Sequence, residues 1–107
     1  MKEQSLPYDP AVSLTNPEAI EYFVNDALET DDATYIAHAI GIAARAKGMT
    51  KVAGETGLAR EALYRSFSEE GNPSLKSAMA VLKSLGFGLT LRRSSVEQTG
   101  EEAQAAE

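Results

Sequence analysis

Met49-Thr50-Lys51-Val52-Ala53-Gly54-Glu55-Thr56-Gly57-Leu58-Ala59-Arg60-Glu61-Ala62-Leu63-Tyr64-Arg65-Ser66-Phe67-Ser68 is the stretch on which the fold turns. Thr50 can cap a helix of barely two turns that ends at Gly57, and apolar positions resume at Leu58, Leu63 and Phe67 on a second short helix. The spacing predicts helix, tight turn, helix. Gly57 suits the turn because a residue without a Cβ enters the left-handed region without steric cost. Val52 and Ala53 are small enough for the two helices to cross closely.

Such a pair also occurs in plain helical bundles, so the polar residues carry the functional reading. With Leu58, Leu63 and Phe67 inward, Arg60, Glu61, Tyr64 and Arg65 fall on the outward face of the second helix, where a recognition helix meets base edges in the major groove. Arg60 fits guanine O6 and N7 as a bidentate fork, Glu61 fits cytosine N4, and Tyr64 and Arg65 reach phosphate or base. Thr50 and Lys51 stand at the start of the first helix, where a hydroxyl, an ammonium and free backbone N–H groups can hold a phosphate. The plain alternative for all six residues is the solvated side of a surface helix.

Upstream, Asn16-Pro17-Glu18 is a helix start, and Ile20, Phe23, Val24, Ala27 and Leu28 form one apolar stripe on a helix over 17–28. That stripe either packs on the chain's own core or helps form a groove for a partner. Thr30-Asp31-Asp32 caps a helix over 32–47, with Arg45 and Lys47 in its last turn and Gly48 just beyond. Downstream, Ser74 caps a helix carrying Leu75, Ala78, Met79, Leu82 and Leu85 and stopped by Gly86. Phe87-Gly88-Leu89-Thr90-Leu91 then alternates with the period of a short strand over 87–91. A lone strand in a helical domain has an unpaired edge, and a second copy is the simplest partner for it. The predicted fold is all-α, five helices with a short C-terminal β-strand. An N-terminal acidic arm covers 1–16, a helix-turn-helix domain 17–92, and a disordered acidic tail 93–107.

The whole chain has 107 residues, 43% of them apolar, with no Cys, no Trp and a net charge of −6. At this size folding buries somewhat over ~60% of the unfolded surface, enough for one core and too little for a large catalytic fold. Without cysteine there is no disulfide framework and no thiolate zinc site, which suits a reducing cytoplasm. The start lacks the apolar run of a signal peptide, and no stretch approaches a membrane span. The charge is unevenly spread. Residues 1–32 carry eight acids against Lys2, residues 33–93 carry nine bases against four acids, and residues 94–107 carry four acids and no base. A basic domain thus lies between two acidic arms, which suit a basic partner or act as a brake on non-specific DNA binding.

No enzyme chemistry emerges. His38 has no companion at metal spacing, Ser66 and Ser68 lack a base–acid pair, and the glycines follow no phosphate-loop pattern, so neither catalytic residue, metal nor cofactor is expected. Met49 and Met79 read as core filler.

The runs Ala39-Ile40-Gly41-Ile42-Ala43-Ala44-Arg45-Ala46-Lys47-Gly48-Met49-Thr50, Gly57-Leu58-Ala59-Arg60-Glu61-Ala62-Leu63-Tyr64-Arg65, Gly71-Asn72-Pro73-Ser74-Leu75 and Leu82-Lys83-Ser84-Leu85-Gly86 resemble the antidote proteins of bacterial type II toxin–antitoxin modules. Among these the chain is similar to HigA-like antitoxins with an Xre/Cro-type helix-turn-helix. The resemblance spans about residues 8–91. It implies a lambda-repressor-like domain with a toxin-facing N-terminal helix, in an antitoxin that binds a small basic RelE/ParE-like toxin and represses its own operon as a homodimer. Carried over by position, the operator-reading helix holds Arg60, Glu61, Tyr64 and Arg65. The family pattern often has Ser where this chain has Ala59, and Ala cannot cap that helix with a side-chain oxygen. Two other readings stay open: an Xre-type regulator with no toxin, and a protein-interaction module that binds no DNA.

Overall fold

Asn16 opens the first helix by accepting a hydrogen bond from the Ala19 N–H at 2.8 Å, with Pro17 in the first helical position. In the computed structural model, which describes residue 14 and residues 16–94, the helices are α1 (Pro17–Leu28), α2 (Ala33–Lys47), α3 (Met49–Thr56), α4 (Arg60–Ser66) and α5 (Leu75–Ser84). Asp32 caps α2, its carboxylate accepting from the Thr34 and Tyr35 N–H groups at 3.1 and 3.2 Å. Ser74 caps α5 through the Ser77 N–H. The acidic arm and the acidic tail fall, but for Leu14, Asn16, Arg93 and Ser94, outside the described residues.

α2 is the centre of the packing. It is buried at Ala37 and from Ala39 through Ala44, so it is apolar nearly all round, and it touches each of the other four helices. Val24, Ile40, Ala43, Ala44, Met49, Val52, Leu63, Phe67, Val81 and Leu82 make the core. Ile20 and Phe23 pack against it beside buried Val24 and Ala27, so the α1 stripe closes on its own domain except at its end, where Leu28 is 38% exposed. At Gly41 the last turn of α4 comes so near that an added Cβ would lie 2.3 Å from the Phe67 carbonyl oxygen and 2.9 Å from the Phe67 Cβ. Only glycine permits that approach.

Polar contacts fasten three helices at one point. Lys47 at the end of α2 pairs with Glu55 of α3 at 2.7 Å and donates to the Ser84 carbonyl of α5, and the Ser84 hydroxyl donates to Glu55 at 2.7 Å. These bonds, aided by the charges of Lys47 and Lys51, hold the Glu55 carboxyl below its ordinary pKa.

Three sequence expectations need correction. The strand over 87–91 does not form in the single chain: residues 87–94 carry no regular structure. Alternation marks a face, but a strand also needs a ladder partner, and no described segment supplies one. The chain instead leaves α5 through a Schellman turn, with the Gly86 N–H on the Lys83 carbonyl and the Phe87 N–H on the Leu82 carbonyl, both at 2.9 Å. Beyond it Arg92 pairs with Glu29 at 2.7 Å. Met79 is not core filler; it is exposed, because Ala78, Val81, Leu82 and Leu85 take the inward positions of α5. Nor does Thr50 cap α3. Gly48 occupies that position, one residue after α2 ends, and makes no side-chain cap bond.

Two outcomes follow. Gly41→Ala forces α2 and α4 apart and lowers the unfolding free energy by about 1–3 kcal/mol, as overpacking does, measured by urea titration. Glu55→Gln melts below the wild type at pH 7. Because the folded-state pKa of Glu55 is depressed, its contribution is present above the ordinary carboxylate value and lost as pH falls through the folded value. The gap in melting temperature therefore closes on acidification, and a gap independent of pH would exclude this role.

Candidate nucleic-acid interface

The turn between α3 and α4 is built by two residues in succession. Thr56 donates its hydroxyl to the Val52 carbonyl at 2.8 Å and accepts from the Leu58 N–H at 3.2 Å. Gly57 follows with φ 80° and ψ 5°, and its N–H donates to the Ala53 carbonyl at 2.9 Å. An L residue meets its own carbonyl in that conformation, which is why glycine stands there. Thr56 was not among the expected site residues, although a threonine directly before a turn glycine is the signal that marks it.

α4 is anchored from below. Leu63, 1% exposed, and Phe67 are buried in the core, with Leu58 half-buried beside them. Seven residues are too few for a helix to persist alone in water, so this anchoring holds α4 in shape. Its opposite side is thereby fixed toward solvent, and Arg60, Glu61, Tyr64 and Arg65 are all exposed, as are Thr50 and Lys51 on α3.

Three of the six residues touch. The Arg60 guanidinium donates to the Thr50 hydroxyl at 3.2 Å and lies over the Tyr64 ring, 5.9 Å from its centre. This joins the first turn of α3 to the first turn of α4 across the turn that separates them. Ala59 holds the N-cap position of α4 and makes no cap bond, so the first N–H groups of α4 receive no side-chain acceptor from it. Glu61 and Arg65 make no ion pair among the described residues, and Lys51 acts only through its charge on Glu55. The cations of the pair are thus Lys51, Arg60 and Arg65, against Glu61 and the already paired Glu55. A shallow groove of about 250 Å³ runs beside α4, walled by His38 and Arg45 of α2 and by Tyr64 and Glu69.

No three His, Asp or Glu side chains cluster at metal-binding distance among the described residues. No helix among them is long and apolar enough to cross a membrane.

The family model described as "Probable addiction module antidote protein" matches residues 4–93. An uncharacterized protein of Haemophilus influenzae is 36% identical over 94 residues, which are 88% of this chain and 97% of that protein. No solved structure matches the chain.

The unfilled cap gives a direct test of how α4 begins. Ala59→Ser supplies the missing acceptor and raises the unfolding free energy by about 1 kcal/mol, the usual worth of an N-cap hydroxyl, read from the shift in denaturant midpoint. No shift would mean that a hydroxyl at position 59 does not reach the free N–H groups of α4.

Proposed function

The chain belongs to the probable addiction module antidote family, and from that footing as the antitoxin of a toxin–antitoxin module we propose a fuller role. It neutralises a basic RelE/ParE-like toxin by direct binding, and it represses its own operon as a homodimer through a HigA-like, Xre-type helix-turn-helix over 17–92.

The observation that carries the DNA half of this reading is the pair α3–α4. A left-handed turn at Gly57 sets two short helices at an angle, and the face of the second that is turned from the core holds Arg60, Glu61, Tyr64 and Arg65. α4 enters the major groove. Arg60, aimed by Thr50 and Tyr64, reads a guanine edge, and Glu61 accepts from a cytosine amino group. Arg65 and Lys51 take the phosphates that fix register. Two copies meet two half-sites of the operator, which lies upstream of the antitoxin's own reading frame.

The toxin half is supported by charge. α1 carries Glu18, Glu21 and Asp26, with Glu29 at its C-cap and no base. With Ile20, Phe23, Val24 and Ala27 of its apolar stripe turned to the core, the face left for a partner is acidic, with exposed Tyr22 in its middle. Such a face suits a basic protein and speeds encounter with it.

The test uses a duplex from upstream of the reading frame and a scrambled duplex of equal composition. Arg60→Ala loses about 5- to 150-fold in preference for the first over the second, the worth of one bidentate base contact. Arg65→Ala weakens both duplexes alike and flattens the salt dependence by about one phosphate's share. Neither variant impairs rescue of cells expressing the toxin. Wild-type affinity and preference in both would remove α4 as the reading helix.

A further inference from the structure

The strip 87–89 parts two hollows of opposite charge, and the roles above use neither. On its α5 side lies an apolar groove of about 490 Å³ with Lys76 and Lys83 at its rim. On its α1 side lies a cleft of about 190 Å³, walled by Glu21, Asn25 and Leu28 on one flank and by Phe87, Leu89 and Thr90 on the other. Pockets for small molecules run to ~300–1,000 Å³, so this cleft has the size of one large side chain instead. Its chemistry is mixed. Leu28 and Leu89 are both part exposed and give it apolar walls. Glu21 offers a carboxylate that makes no ion pair or side-chain hydrogen bond among the described residues, and Gly88, Leu89 and Thr90 make no backbone hydrogen bond among them.

We infer that this cleft anchors an arginine of a basic protein, its stem between Leu28 and Leu89 and its head on Glu21. Apolar walls with a carboxylate and free carbonyl oxygens at the rim suit arginine above other side chains, because its stem is apolar and its head is a planar fork of donors with no acceptor. The chain itself displays the same match next door: one residue beyond Leu28 and two beyond Thr90, Glu29 holds the Arg92 guanidinium at 2.7 Å. That bridge ties the strip to α1 and fixes the width of the cleft before any partner arrives. The inference rests on the antitoxin reading above, in which the basic protein is the toxin, and adds the place and the chemistry of the anchoring contact. The acidic face of α1 draws the partner in, and the cleft retains it. Lys76 and Lys83 turn the same partner away from the α5 groove.

The test follows association and dissociation of the full chain with the basic protein encoded beside its own reading frame, purified separately. Glu21→Gln speeds dissociation about tenfold or more, as loss of a central anchor does. Asp26→Asn removes the same charge from α1 outside the cleft; it slows association slightly and leaves dissociation as in the wild type. Asn25→Trp, at an exposed position, plugs the cleft and abolishes retention with helicity unchanged. Replacing the partner's arginines by alanine one at a time finds one whose loss costs nothing further in the Glu21→Gln background. Because α1 packs on α2 and on neither α3 nor α4, all three variants bind the upstream duplex as the wild type does. Wild-type dissociation in Glu21→Gln and Asn25→Trp, equal effects of Glu21→Gln and Asp26→Asn, or no partner arginine coupled to Glu21 would each overturn the cleft and leave the antitoxin reading standing. A wild-type chain that does not bind the neighbouring protein would overturn the toxin half of that reading, and the cleft with it.

Discussion

The approach of α2 to the end of α4 at Gly41 is the constraint from which the rest of the molecule follows. A seven-residue helix has little stability of its own, so its place is decided by what it can lean on. It leans on a helix built for closeness, Ala37 and Ala39-Ile40-Gly41-Ile42-Ala43-Ala44, where a missing Cβ lets the Phe67 backbone settle against the α2 surface. Phe67 and Leu63 can then be buried together. Burying them leaves one side of α4 facing out, and that side holds four polar residues. The direction in which this face points is therefore set in the core beneath it.

Much of this was legible in the chain because it is local. Asn16, Asp32 and Ser74 cap the helices they were expected to cap, and Gly57 takes the left-handed turn. The exposure of Arg60, Glu61, Tyr64 and Arg65 follows from the spacing of Leu58, Leu63 and Phe67. Local chemistry misled at Thr50, a good capping residue two positions too late, because the break after α2 is a single glycine and the backbone turns there without a side chain's help. What escaped altogether is non-local. The Lys47–Glu55–Ser84 fastening joins residues 8 and 37 positions apart, and the Arg60–Thr50 contact spans ten. The strand failed for the same reason: its period is a property of five residues, but its hydrogen bonds belong to whatever lies alongside. Met79 reads as core from its type, yet α5 has inward room only for Ala78, Val81, Leu82 and Leu85.

Charge is sorted by element in this chain. The solvent side of α1 is acidic, the pair α3–α4 contributes Lys51, Arg60 and Arg65, and the groove at α5 is apolar with a lysine rim. A net charge of −6 conceals three surfaces of different character, each suited to a different kind of neighbour.

The bond between Arg60 and Thr50, with the Tyr64 ring beneath, has a consequence in entropy. An arginine free in water surrenders several torsions when it docks, about 0.5–1.5 kcal/mol for a side chain of that length. Here two neighbours already narrow those torsions before any ligand arrives. The penalty for stilling this guanidinium is met during folding, so whatever it grips is held with more of the gross attraction intact.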